Sequence, residues 1–115
     1  MDYTIYHNNR CRKSREALQY LTENNIPHKI VHYLETPLNA EELKAILNAL
    51  GHGADQLLRK QEAIWKSEYK HRTLDEDALI QAMVDHPKLI ERPIVSSGKK
   101  AVIARPIEKL HQFLK

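Results

Sequence analysis

The sequence predicts an α/β fold: a mixed sheet of about four strands with a helical insertion in the middle of the chain. Three observations predict it. The opening third alternates strand, helix and strand patterns. The middle third carries only helical periodicity, and the last third reads strand, turn, strand, helix. The 115 residues suit a single domain spanning 1–115. A chain of this size buries roughly two thirds of the surface its unfolded form exposes, enough for its own core.

Tyr3-Thr4-Ile5-Tyr6-His7 is rich in aromatic and β-branched residues and reads as the first strand. Asn8 and Asn9 are loop residues. From Ser14 to about Asn24, Ala17, Leu18 and Leu21 recur at three- and four-residue spacing and mark one face of a helix, which Asn24-Asn25 and Pro27 end. His28 to Tyr33 reads as a second strand centred on Ile30 and Val31. A strand–helix–strand opening favours a parallel pair with a right-handed crossover.

Thr36-Pro37 breaks that strand. Asn39 is an N-cap candidate with Glu42 as its reciprocal partner; the helix carries Leu43, Ile46, Leu47 and Leu50 and stops at Gly51. Short helical pieces are expected at Ala54 to Leu58 and around Ile64-Trp65. Thr73 with Glu76 repeats the capping-box pattern ahead of Leu79, Ile80 and Met83, and Pro87 follows. Pro93-Ile94-Val95-Ser96 and Ala101-Val102-Ile103-Ala104 flank a Gly98 turn and read as a hairpin. Pro106 suits the first turn of a closing helix with Ile107, Leu110 and Leu114. This order of elements is the thioredoxin-like plan.

Composition narrows the function. With 42% apolar and 29% charged residues the chain is ordinary globular material. No stretch approaches the roughly 18 consecutive apolar residues of a membrane span, and Met1-Asp2-Tyr3-Thr4 has no basic-then-apolar lead, so no secretory signal is expected. A cytoplasmic monomer is the simplest expectation. The net charge is only +3 and the aromatic content 6%, so a nucleic-acid partner is not expected. One cysteine excludes an internal disulfide and any multi-cysteine metal site. His28 and His32 share a strand face but lie about 13 Å apart, too far for one metal. No metal and no bound cofactor are expected. Trp65 and Tyr69, at helical spacing, read as packing.

Cys11 falls between the first strand and the first helix. There a thiol meets unpaired amides and the positive end of the helix dipole, and Arg10, Arg12, Lys13 and Arg15 add positive potential. The reading is an activated thiolate; the alternative is a buried cysteine serving as a small apolar side chain. Cys11-Arg12-Lys13-Ser14 has the spacing of a Cys-x-x-Cys motif with serine for the second thiol. Any sulfur adduct on Cys11 must therefore be resolved by an external thiol.

The same place offers an anion site. Helix N-terminal amides bind oxyanions, and Ser14 offers a hydroxyl donor. If the hairpin pairs symmetrically about Gly98-Lys99, Val95 faces Val102, Ile94 faces Ile103, and Arg92 falls opposite Arg105. Like charges so opposed repel, and an anion held between the two guanidinium groups offsets that. The alternative is two arginines pointing into water.

These blocks resemble the glutaredoxin-coupled arsenate reductase family. Tyr6-His7-Asn8-Asn9-Arg10-Cys11-Arg12-Lys13-Ser14-Arg15 is similar to its active-site loop. Leu58-Arg59-Lys60, Ile90-Glu91-Arg92-Pro93-Ile94-Val95 and Ala104-Arg105-Pro106 are similar to its later signatures. The resemblance runs from Tyr3 to about Leu114. It implies that Cys11 is the nucleophile and that Arg59, Arg92 and Arg105 bind the oxyanion. It implies further that Pro93 is a cis-proline beside the site, that His7 and Ser14 support the thiolate, and that glutathione and glutaredoxin are co-substrate and partner. The sequence departs from the family at Asn9-Arg10, usually proline and a small residue, and at Arg12-Lys13, usually glycine–threonine. Two long cations there either strengthen anion attraction or crowd the oxyanion out. The family also includes possible glutathione-dependent thiol reductases and a transcription regulator that binds RNA polymerase, whose redox switch uses paired cysteines that this chain lacks. Those supply two alternatives: a thiol reductase without arsenate activity, and a non-catalytic binding module.

Overall fold

A computed structural model describes residues 2–115. Strand β1 (Tyr3–Tyr6) leads through helix α1 (Arg12–Glu23) to β2 (His28–Val31). Four helices follow: α2 (Ala40–Leu50), α3 (Ala54–Leu57), α4 (Ala63–Glu68) and α5 (Glu76–Asp85). A 3-10 turn (Pro87–Leu89) then leads to β3 (Ile94–Ser96), β4 (Ala101–Ile103) and α6 (Ile107–Phe113). The sheet order is β2-β1-β3-β4, with β1 parallel to β2 and the other pairs antiparallel. This is the mixed four-stranded, thioredoxin-like sheet with a central helical insertion.

Strand alternation divides the core. On one face Ile5 and Val95 pack with Ala17 and Leu21 of α1 and Leu110 of α6. On the other, Ile94 packs with Leu43, Ile46 and Leu47 of α2 and with Ile80 and Met83 of α5. The hairpin register is the symmetric one, Ile94 opposite Ile103 and Val95 opposite Val102. Its turn closes with Ser97 N–H donating to the Lys100 carbonyl at 2.8 Å, and Gly98 takes φ 90°, a conformation glycine adopts freely.

Helix α2 starts with the expected Asn39–Glu42 capping box and ends at Gly51 with φ 72°. Four local expectations are corrected. Helix α1 begins at Arg12, two residues early, so Cys11 itself is the N-cap. Strand β2 ends at Val31, because the His32 carbonyl turns to accept the N–H groups of Glu35 and Thr36. Pro106 stands before α6 as its N-cap, outside the first turn. The fourth concerns α5, which is capped by Asp75, whose carboxylate accepts the Ala78 N–H at 2.8 Å. Glu76 instead reaches back to accept the Ala54 N–H at 2.9 Å, fastening α3 to α5. The peptide bonds Arg92–Pro93 and Arg105–Pro106 are both cis, the first as expected and the second not foreseen.

The insertion is stitched to the approach of β3. Arg59 N–H donates to the Leu89 carbonyl at 2.7 Å and Glu91 N–H to the Leu57 carbonyl at 2.8 Å, around a Leu58–Ile90 bridge. Arg59 and Glu91 are thereby brought together. Among the described residues no helix is long and apolar enough to cross a membrane.

Candidate active site

The sheet topology sets the place. Cys11 follows the C-terminal end of β1 and Tyr33 that of β2, Arg92 precedes antiparallel β3, and Arg105 follows β4. All four lie at one edge of the sheet.

The loop that carries Cys11 is wound around Ser14. The Ser14 hydroxyl accepts the Asn8 N–H at 3.0 Å and shares a 2.6 Å hydrogen bond with His7 Nδ1. His7 and Ser14 are both buried. Ser14 therefore spends its hydroxyl on the loop, and it meets the thiol through its backbone N–H instead. Asn8 Oδ1 accepts the Arg10 N–H and the Asn8 carbonyl accepts the Cys11 N–H, closing the turn into α1. Burial is the largest influence on His7 and holds its ring below the usual imidazole range, with His32 and Arg15 adding to that effect against a hydrogen bond from the ring to the Asn9 side chain. The shift favours the neutral ring.

Cys11 is only 9% exposed. Burial pushes its thiol up. The Ser14 N–H, the Arg92 guanidinium and the Lys13 N–H outweigh that and leave it below the ordinary range. Its side chain makes no closed capping hydrogen bond, so these groups act as facing donors and charge. The exposed cations Arg10, Arg12 and Arg15 are not among the causes. The activating charge comes from Arg92, 81 positions away in the chain and across the sheet.

The three sequence-predicted arginines are placed differently. Arg59 is buried, donating from Nη1 to Glu91 Oε1 at 2.7 Å and from Nε to Glu62 Oε2 at 3.4 Å. Arg92 Nε and Arg105 Nη1 are buried without a hydrogen-bond partner. Arg92 lines a cavity of about 1010 Å³ with His7, Asn8, Arg10, His32 and Lys88. Arg105 lines a separate one of about 370 Å³ with His52, Glu91 and Lys109. The hydrogen bond from Ala104 N–H to the Pro93 carbonyl continues the hairpin register and sets Arg92 opposite Arg105. Pro93 is fully buried beside them. No cluster of metal-ligating side chains occurs among the described residues.

Sequence reasoning missed Tyr33. Its ring is 1% exposed, and its hydroxyl lies in the field of Arg92, Cys11 and Arg59. A tyrosine at the end of a β-branched strand gives no local sign of this. Glu62 and Glu91, the partners of Arg59, were also unseen.

The ArsC family pattern matches residues 6–113. The chain belongs to the ArsC family. It is 50% identical over 112 residues to the uncharacterized protein YfgD of Escherichia coli K12, covering 96% of this chain and 94% of that one. It is 44% identical to an arsenate reductase of Neisseria meningitidis, with 96% of each chain covered. The solved arsenate reductase of Vibrio cholerae superposes with a TM-score of 0.91 at 40% identity, over 97% of each chain. Homology of this extent supports a redox enzyme of the ArsC family with a single cysteine.

Proposed function

We propose that this ArsC protein reduces arsenate to arsenite through an adduct on Cys11. The observation that carries the reading is a lowered thiol at a helix N-terminus faced by Arg92, whose buried Nε has no hydrogen-bond partner among the described residues. The Cys11 thiolate attacks arsenic, and an As–O bond breaks; the oxygen takes up protons from solvent and leaves as water. Arg92 and Arg105 hold the remaining oxygens and neutralise developing charge, while Arg59 braces the site through Glu91. His7 and Ser14 hold the loop, and Pro93 fixes the approach of Arg92.

Glutathione thiolate then attacks the Cys11 sulfur. The S–As bonding pair stays on arsenic, which leaves as arsenite, and Cys11 keeps a mixed disulfide. Glutaredoxin attacks the glutathione sulfur and frees Cys11. One cysteine requires the resolving thiol to come from outside; a dithiol protein of the thioredoxin kind is the other chemistry able to clear the adduct. Reduced glutathione is an intracellular reductant, so the reading includes a cytoplasmic enzyme acting as a monomer on a small oxyanion, with neither membrane nor nucleic acid as partner.

A second reading has its own observation. Arg59 is neutralised by Glu91 and Glu62, which weakens the anion site and favours a glutathione-dependent thiol reductase without arsenate activity. Steady-state turnover decides between them, with arsenate and glutathione plus either glutaredoxin or thioredoxin, beside a glutathione mixed disulfide as competing substrate. Arsenate turnover supports the first reading, and the better protein reductant names the partner. Reduction of the mixed disulfide alone supports the second, and no turnover with either leaves a non-catalytic binding module.

A further inference from the structure

Among the described residues, three buried side-chain polar atoms lack a hydrogen-bond partner: Tyr33 Oη, Arg92 Nε and Arg105 Nη1. All three residues stand at the sheet edge that carries Cys11. Burying a hydroxyl without a partner is costly, and phenylalanine would fill the same space without that cost. Packing therefore accounts for the ring and leaves the hydroxyl unexplained.

What surrounds the hydroxyl indicates its ligand. Arg92 and Arg59 bring positive charge, and Cys11 brings a thiolate. The Asn8 side chain faces the hydroxyl oxygen as a donor without closing a normal bond, which leaves the O–H proton uncommitted. Arg59 is held by Glu91 and Glu62 through Nη1 and Nε, so much of its charge is already answered within the protein. We propose that Tyr33 is a substrate-binding residue whose hydroxyl donates a hydrogen bond to one oxygen of a tetrahedral oxyanion held by Arg92 before Cys11. Burial pushes the phenol up to about 12, so it keeps its proton at any working pH and remains a neutral donor. A neutral donor orients the anion without adding charge, which suits a dianion shared between Arg92 and Arg105. The ligand class rests on the proposed arsenate chemistry; the hydroxyl's role is testable apart from it.

The test compares wild type with Tyr33→Phe, using inorganic phosphate to protect Cys11 from iodoacetamide. Phosphate is tetrahedral and is not reduced by thiols, so it reads binding without turnover. The phosphate concentration giving half-protection should rise about tenfold in the variant, the loss of one hydrogen bond to a charged group. The melting temperature without phosphate should stay equal or rise, because an unpartnered hydroxyl has been removed. Equal protection of both proteins, or protection of neither, overturns the proposal. A lower melting temperature with unchanged protection also overturns it, making Tyr33 a packing residue. Protection that weakens in the variant, in a protein that does not turn over arsenate, upholds Tyr33 while the proposed reaction fails.

Discussion

The Arg59 guanidinium donates to the Glu91 carboxylate at 2.7 Å, joining side chains 32 positions apart. The antiparallel Leu58–Ile90 bridge sets Arg59 opposite Leu89 and Glu91 opposite Leu57, so the two charged residues share one face as diagonal neighbours within reach of each other. Arg59 is nearly buried, and removing Glu91 leaves its charge answered only by the longer contact to Glu62. The pair therefore does two things at once. It fastens the helical insertion to the approach of β3, and it quiets one cation next to the site.

Glu91→Gln should separate these roles. Stability should fall by about 1–3 kcal/mol, because a charge-assisted hydrogen bond becomes a neutral one in a partly buried place. Phosphate protection of Cys11 should strengthen severalfold, because the Glu91 negative charge that opposes the Arg59 guanidinium is gone. Urea melts and alkylation kinetics measure the two effects on the same protein. Loss of stability with unchanged protection would show that Arg59 is remote from the anion.

The thiol itself should titrate below the roughly 8.5 of a free cysteine, read as alkylation rate against pH. The source of the shift is the sharper test. Arg92→Ala should move the midpoint up, because Arg92 faces the thiol. The double change Arg12→Ala with Lys13→Ala should move it less, since the backbone amides of Ser14 and Lys13 survive. A larger effect from the double change would return the activation to the basic loop, where the sequence alone had put it.

Short-range features were legible in the sequence, and long-range ones were not. The Asn39–Glu42 cap, the Gly51 stop and the hairpin register each depend on residues a few positions apart, and each reads off directly. Thr73 and Glu76 show why pattern alone misleads. The spacing fits a capping box, yet Asp75 caps the helix and Glu76 answers an orphan amide on another helix, 22 positions away. The site divides the same way. Cys11 and its helix were visible as a local motif, whereas the burial of Tyr33 and the Arg59–Glu91 pair depend on how the insertion folds over the sheet edge. Charge counting near Cys11 reaches only the cations of its own loop, and Arg92 faces the thiol from 81 positions away for the same reason.

Ser14→Ala should destabilise by about 1–3 kcal/mol, since it strips the acceptor from the buried Asn8 N–H and the partner from His7 Nδ1. A drop of about 4 °C in melting temperature per kcal/mol is expected for a chain of this size. The backbone N–H of Ser14 is retained, so the Cys11 midpoint should rise only if the loop relaxes. Measuring both quantities tells a loop brace from a direct thiol ligand.

His7 adds a pH dependence whose sign is fixed. Burial, its largest cause, holds the folded ring below the roughly 6.5 of an unfolded histidine. At a pH above about 6.5 both states are neutral and the stability is full. As pH falls, the unfolded chain takes the proton first, and stability is lost until the folded value is passed. His7→Asn should flatten the fall in melting temperature between about pH 7 and pH 5. An unchanged slope would assign the loss to other groups.

Arg92 and Arg105 give the last expectation. They stand opposite one another in the hairpin register, each with a buried nitrogen that finds no partner. One anion bridging them would satisfy both nitrogens and relieve their repulsion, so sulfate should raise the melting temperature saturably. Chloride at equal ionic strength controls for screening. Sulfate's general exclusion from protein surfaces adds a non-saturating part that every variant should keep. The arginines line separate cavities with no residue in common, so two independent sites are the competing arrangement. The double-mutant cycle decides between them. With one bridging anion, Arg92→Ala and Arg105→Ala should each remove most of the saturable part, and the double substitution should remove no more than either. With two sites the single losses add. Should all four proteins respond identically to sulfate, neither arginine binds an anion, and the oxyanion role assigned to the pair is withdrawn.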